Sequence, residues 1–553
     1  MRTFLLNIFK MKELKLVCVA IAMASATPTF AGGLLTNTNQ NVAFNRMMSR
    51  EASIGIDGVY YNPAGVVFMG DGHHLSLNWQ LAYQSRTIEN DYSLFTNNLN
   101  NPTTPREFKG NAFAPILPSF QYAYNKGRWS FQGNFALTGG GGKCTFDNGL
   151  GSFEKIVSET ALAACGLAST VDATLGRTIG NPSTQLFSSD QVFGQSGKYT
   201  SSSYMKGRQY YFGLSLGAAY QFSDHFSGFA GVRGVYATCN YYGYVKDITV
   251  GAMPLYKVLD PSKENAANIE LSCDQTGLGF TPIIGIDYKT GKWNFSAKYE
   301  FKTRMRLKNK SVNQVPSIGN LASNLSSSMV SVLTSQFQQK GLSQEQAQVK
   351  AGEIAQTVLS DGTVQATMLG LKTQFDSKID EAIGEYEDGK KIAADIPAYL
   401  TIGAGYSPID ALRINVGFHW FDDVHATAYN NRNKKLDRGT LEYNAGIEYD
   451  INKKFTVSTG WQCTSYGLPE EDENATARYM DDKSFVTSSN SAAIGGVYHI
   501  NKKMDLNAAY FHTFYSHKKT VEPVQLSAQT TINYTSDYTR NNNVFAVGLD
   551  INF

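Results

Sequence analysis

The residue pattern that most resembles chemistry is Gly213-Leu214-Ser215-Leu216-Gly217, which fits the GxSxG of a serine nucleophile. Such an elbow needs a strand-to-helix turn that lifts the serine to an exposed tip. Here Ser215 sits between Leu214 and Leu216 in an alternating run, so the motif reads as strand interior and no catalytic residue is assigned. His73-His74 has no acidic or cysteine neighbours with metal-ligand spacing. Asp422-Asp423 with His425, and Glu470-Glu471-Asp472-Glu473, read as solvated acidic loops rather than calcium sites. There is no CxxC, phosphate-cradling glycine loop or zinc-protease helix. The sequence therefore calls for no enzyme activity, no cofactor and no metal.

What must position anything else is a large β-structure. Of 553 residues, 17% are charged, against the ~25% usual for soluble proteins. Aromatics reach 12%, with 31 Tyr and 32 Phe but only 5 Trp. Lys+Arg 49 against Asp+Glu 47 leaves +2, too little field to gather a polyanion, so nucleic acid is not expected as a partner. Outside the N-terminus no apolar run approaches the ~20 residues of a helical span, which rules out a helical membrane protein.

Residues 1–31 read as an export signal, with Arg2, Lys10, Lys12 and Lys15 before an apolar stretch from Leu14 to Ala26 and small residues for cleavage. The chain starts at Met1 or at Met11. Cys18 falls inside this leader. Cys144, Cys165, Cys239, Cys273 and Cys463 remain, an odd number; Cys144–Cys165 and Cys239–Cys273 could each tie a loop, and spacing does not settle the pairing.

From residue 73 onward the pattern has period two. In 293–302, Trp293, Phe295, Ala297, Tyr299 and Phe301 alternate with Asn294, Ser296, Lys298, Glu300 and Lys302. A charged face of that kind needs water on one side while the other meets something apolar. Fourteen such segments follow: 73–86, 116–125, 128–138, 204–222, 226–244, 278–288, 293–307, 396–406, 411–421, 440–450, 454–463, 491–500, 503–513 and 543–553. Tight polar connections such as Thr290-Gly291-Lys292 and Asn501-Lys502 alternate strictly with long ones near 87–115, 139–203, 245–277, 308–395, 422–439, 464–490 and 514–542. Outer-membrane barrels have this asymmetry of short and long loops. The expected fold is all-β: a 14-stranded antiparallel transmembrane β-barrel over 73–553.

The 308–395 loop breaks the pattern. Apolar residues recur at helical spacing as Met329, Leu333 and Phe337, then Met368, Leu371, Phe375 and Ile379, and Ser343-Gln344-Glu345-Gln346 fits a capping box. Either the loop is a subdomain packing on itself, or Met368, Leu371, Phe375 and Ile379 form a surface that first captures an apolar ligand.

Residues 32–72, ahead of the barrel, lack clean alternation and contain Gly55-Ile56-Asp57-Gly58-Val59-Tyr60-Tyr61-Asn62-Pro63-Ala64-Gly65. Asn62-Pro63-Ala64 after an acidic, glycine-containing run resembles the N-terminal hatch of the FadL-type long-chain fatty-acid and hydrocarbon transporters. The resemblance implies that 32–72 plugs the barrel and that the third strand is kinked to make a lateral opening. That strand runs into Gly139-Gly140-Gly141-Gly142, where a glycine run weakens a ladder. Where better-known members carry a basic residue near the end of the fifth strand, this chain has Thr238-Cys239-Asn240, so a head group would be held differently; Arg233, Lys298 and Arg304 are the lumen candidates. The terminal strand, with Phe545, Val547, Leu549, Ile551 and Phe553 alternating, resembles the signal read by the outer-membrane barrel-assembly machinery.

The implied function is passive uptake of hydrophobic molecules, long-chain fatty acids or similar, across the outer membrane of a Gram-negative bacterium: loop capture, an internal pocket, a hatch shift and lateral exit. Leaving water favours an apolar solute by ~0.8 kcal/mol per CH₂, so moderate binding suffices and no energy-coupling device is needed. The implied partners are outer-membrane lipid and a hydrophobic small-molecule ligand. A surface receptor or adhesin using the long loops, for example to bind haem, is the alternative.

Overall fold

The computed structural model describes residues 36–469, 480–527 and 529–553. The leader at 1–31 and the acidic run 470–473 lie outside these described residues.

Fourteen antiparallel strands close into one barrel. They are β1 Gly72–Asp91, β2 Arg106–Lys126, β3 Trp129–Phe146, β4 Tyr199–Gln221, β5 Phe226–Val250, β6 Ile269–Thr290 and β7 Trp293–Glu300, the last continued by Arg306–Ser311. After the longest loop come β8 Tyr399–Ile409, preceded by Lys391–Ala393, then β9 Leu412–Phe421, β10 Thr440–Asn452, β11 Phe455–Ser465 and β12 Ser489–Asn501. Last are β13 Met504–Tyr515, continued by Lys518–Gln525, and β14 Thr531–Asn552. β14 pairs back onto β1 from His74↔Asn552 to Asp91↔Thr535, leaving no free edge.

Alternation forms these strands and also sorts their faces. Trp79, Phe131, Leu216, Ile286, Phe295, Val416, Trp461 and Phe545 stand exposed on the outside, while Gln121, Asn134, Lys298, Glu300, His419 and Glu442 are buried inside. An apolar belt outside with polar groups inside is the arrangement a membrane-spanning barrel requires.

All fourteen expected segments are strands, but many run further toward the long-loop end than the pattern suggested. β14 begins at Thr531 rather than 543, and β2 at Arg106 rather than 116. In the added parts the outward residues, such as Glu107, Lys109, Thr535 and Asp537, are polar, while the inward ones, such as Phe108, Tyr534 and Tyr538, are buried beneath the cap, so outward apolar alternation no longer marks them. The connection expected at 514–542 is instead a protruding hairpin, Lys518–Gln525 paired with Thr531–Tyr538.

Helices cover the long-loop end. In the expected loop, α2 Leu321–Gln339, α3 Gln344–Ser360 and α4 Gly362–Ile383 form, and Ser343 and Gln346 make both capping-box bonds at 3.3 Å. A 29-residue helix, α1 Gly151–Ile179, was not anticipated. It is long and apolar enough to cross a membrane, yet half of its most apolar window is buried inside the protein. Val157, Ala161, Cys165, Ala168, Val171 and Leu175 share one core with Leu325, Met329, Leu333, Val358, Phe375 and Ile379, with Met368 and Leu371 packed on its edge. The apolar stripe at 368–379 thus packs against other helices of this cap. All five described cysteines are free thiols. Cys239 faces Gln275 and Cys273 faces Tyr241, one pleat out of register for a bond.

Candidate functional site

The bore is filled by residues 36–69, the described part of the expected hatch. Asn41 caps a short helix, Val42–Met47, by accepting from the Ala43 amide at 2.7 Å, and the helix lies against β11 to β14. It approaches a wall stripped of side chains. A Cβ on Gly446 or Gly460 would collide with the Met47 carbonyl. One on Gly495 would come within 2.6 Å of the Arg46 Cβ, and one on Gly403 within 2.5 Å of the Glu51 Cβ. Glycine is needed here because main chain rests on main chain.

Charges fix the seat. Arg46 pairs with Glu448 of β10, and its Nε donates to Asn507 Oδ1 at 3.2 Å. Arg50 grips Asp57 within the segment itself at 2.7 and 3.1 Å. Glu51 Oε1 lies 2.7 Å from Nε2 of His419, whose Nδ1 is 2.8 Å from Glu442 Oε2. Thr464 Oγ1 donates to the other Glu442 oxygen at 2.7 Å. Buried charges persist only when paired and hydrogen-bonded, and of these pairs Arg46–Glu448 and Glu51–His419 cross between the inner segment and the wall.

Asn62, Pro63 and Ala64 are a second anchor. Asn62 Nδ2 donates to Asp287 Oδ2 of β6 at 2.6 Å, Gln132 Nε2 of β3 donates to the Pro63 carbonyl at 2.7 Å, and Ser227 Oγ of β5 donates to the Ala64 carbonyl at 2.7 Å. Three residues thereby reach three strands. Arg233 and Lys298 lie together in the lumen and share Glu300: the guanidinium binds it at 2.6 and 2.9 Å, and Lys298 Nζ at 2.8 Å. Lys298 also donates to the Tyr60 carbonyl at 2.7 Å. Both cations are thus occupied by the wall and the inner segment rather than directed at an open space. Arg304 does not join them; it is exposed. Arg233 Nε donates to Ser215 Oγ at 3.0 Å, so the serine of the GxSxG run is a mid-strand partner of an arginine.

Gly139–Gly142 mark a lapse in the ladder. β2 and β3 pair from Lys126↔Trp129 to Phe120↔Phe135 and resume at Ala112↔Cys144, with nothing paired between. β3 stays on β4 there through two register shifts, at Leu137/Gly139 and Gly140/Gly142. Gly140 has φ +67, and a Cβ on it would sit 2.7 Å from the Gln209 carbonyl. Across the gap, β2 carries Pro115 and Pro118, which have no amide to offer a neighbouring strand. Those prolines were the signal in the sequence that sequence reasoning missed. Carbonyls that β2 leaves free are taken from inside: Asn37 N donates to Thr138 O at 3.0 Å, and its Nδ2 to Gly140 O at 2.7 Å.

Above the inner segment, toward the long-loop end, lies a cavity of about 170 Å³. Phe146, Tyr211, Tyr241, Tyr386, Ile392 and Phe485 form the aromatic and apolar part of its lining, and Arg86, Arg432, Arg540, Glu385, Asp481 and Lys483, with Gln209 and Gln275, form a charged and polar part. Tyr211 and Gln209 are the partners of Gly139 and Gly142, so cavity and ladder gap share a wall. Residues 480–488 strap its top: Phe485 packs on Tyr538 with ring centroids 4.8 Å apart, and Arg432 links Glu385 and Asp481 at 3.3 and 3.5 Å. Asp482, a residue of the strap, is buried, accepting from the Ser152 amide at 2.7 Å and the Tyr538 hydroxyl at 3.0 Å. Burial pushes its carboxyl above the usual range, with those bonds opposing.

No protein-family model matches the chain, and no curated protein matches it. Among solved structures, a Pseudomonas aeruginosa FadL homologue aligns at TM-score 0.54 and 14% identity over 94% of this chain and 100% of that one. The toluene transporters TodX of Pseudomonas putida (0.47, 13% identity, 94% and 100% covered) and TbuX of Ralstonia pickettii (0.44, 14%, 90% and 94%) align at scores that do not establish a common fold. At such identities the likeness concerns architecture: this chain has the barrel fold of the FadL homologue.

Proposed function

We propose that this protein is a passive outer-membrane conduit of the FadL type for hydrophobic molecules. The observation that carries the reading is the shared wall between a cavity with both aromatic and charged lining and a gap in the β2–β3 ladder. An apolar solute enters beneath the helical cap, loses its water in the cavity, and leaves sideways into lipid through the gap, without crossing the filled bore. Each step follows the solute's own preference for apolar surroundings. The short-turn end faces the periplasm and the capped end the outside. The likeness in fold to a FadL homologue supports the same reading.

Uptake of a radiolabelled long-chain fatty acid and of toluene, in cells with and without the gene, tests it. Expression should raise uptake of at least one of the two. Equal uptake of both would refute the proposal.

A further inference from the structure

A second apolar concavity lies on the outside of the barrel, far from the ladder gap. Across β6 to β9 two rows of outward residues run side by side: Ile286–Ala297–Ile402–Phe418 and Tyr288–Phe295–Ala404–Val416. Ala297 and Ala404 are the low points among larger neighbours, and together the rows enclose a groove of about 440 Å³. Behind it Gly403 pairs with Gly417, so the wall here is one backbone thick, with Glu51 and Ala52 pressed against its inner side.

We propose that this groove binds one acyl chain of a membrane phospholipid from the leaflet at the short-turn end. Three observations select that occupant. Ile286, Phe295, Ile402 and Val416 belong to the exposed apolar belt, so hydrocarbon is the medium in contact with the groove. The four strands beneath are paired without a break at these residues, so nothing reaches the groove from the bore. One residue pair nearer the short turn, Trp293 stacks on Tyr406 at 4.4 Å, an aromatic pair of the kind that marks head-group level. A lipid whose head sits at that level lays its chain along the groove.

The driving force is packing rather than the hydrophobic effect, because the chain comes from a medium as apolar as the groove. A dent left unfilled in the bilayer forfeits dispersion contacts along its lining, and a flexible chain restores them. Filling the low points with side chains removes the site while keeping the face apolar. The inference needs only that the barrel spans a membrane and is independent of what is transported.

The test is native mass spectrometry of the full protein reconstituted in phosphatidylethanolamine vesicles and extracted into mild detergent. The wild type should retain one phospholipid. The Ala297→Phe/Ala404→Phe variant should retain it at least tenfold less, while Val547→Phe, which places an aromatic ring on the outer face of β14 away from the groove, should retain it like the wild type. Migration on unheated gels reports a closed barrel, and Ala404→Leu supplies a milder filling, expected to weaken retention, should the double variant not fold. Absence of lipid from the wild type, equal retention by the filled variants, or loss in Val547→Phe as well would overturn the proposal. So would a retained free fatty acid in place of the phospholipid, which would put the groove on the ligand's route.

Discussion

Glu51 of the inner segment meets His419 of β9 at 2.7 Å in a site where both side chains are essentially sealed from solvent. His419 is held on its other nitrogen by Glu442, so one ring couples a carboxylate of the wall to a carboxylate of the inner segment.

Replacing Glu51 by Ala should unseat the hatch locally. Removing one member of a buried ionic pair costs about 3–5 kcal/mol, because the other is left uncompensated. The expected result is intermittent ion conductance in a planar bilayer, nearly absent in the wild type, with a barrel that still migrates as folded on unheated gels. A silent E51A channel would contradict the latch.

Gly460→Val tests the bare wall. A side chain there cannot coexist with the Met47 carbonyl, and β11 is fixed by its neighbours on both sides. The hatch must therefore lift. Cells carrying the variant should become several times more sensitive to a bulky antibiotic such as vancomycin, whereas Val457→Ala, on the exposed outer face of the same strand, should change sensitivity little.

Gly140→Ala addresses the lateral gap. The left-handed φ of +67 and the nearby Gln209 carbonyl both penalise a Cβ, at about 1–3 kcal/mol for a non-glycine residue held there. β3 relieves the strain by straightening toward β2. Uptake should fall severalfold while equilibrium binding of a fluorescent fatty acid to purified protein stays within about twofold. Parallel loss of both would place Gly140 in the binding step instead.

Strap docking should depend on pH through Asp482. Its proton is held more tightly when buried than when the strap is loose, so docking is strongest in acid and weakens as pH rises through the raised value. Proteolytic cutting between residues 480 and 488 should accelerate with pH in the wild type. In Asp482→Asn it should become slow and pH-independent. A pH-independent rate in the wild type would remove Asp482 from this role.

The barrel was legible from period-two alternation because its two faces meet such different media, and the order of short and long loops was legible for the same reason. Where the outward face turns polar and the inward one is buried beneath the cap, as in 531–542, the pattern vanished and the strand was missed. Helix α1 was missed although Val157, Ala161, Cys165, Ala168, Val171 and Leu175 recur at helical spacing, because half of that stripe is small residues and its burial is supplied by helices nearly two hundred residues away. At the site, Arg233 and Lys298 stood out as inward charges, yet nothing in sequence spacing identifies Glu300 as the carboxylate they share. The role of Gly446 and Gly460 was illegible in principle. A glycine in a strand reads as a weak point until the backbone pressed upon it is known.

That arrangement distributes tolerance to mutation unevenly. Because the inner segment meets Gly446 and Gly460 through the Met47 carbonyl, the identity of the residue supplying that carbonyl matters less than the emptiness opposite. Drift through generations should leave those wall positions as the slowest-changing points of their strands, while position 47 itself wanders among residues of similar bulk. An alignment of diverged sequences would then display the docking footprint as a row of invariant glycines facing variable side chains.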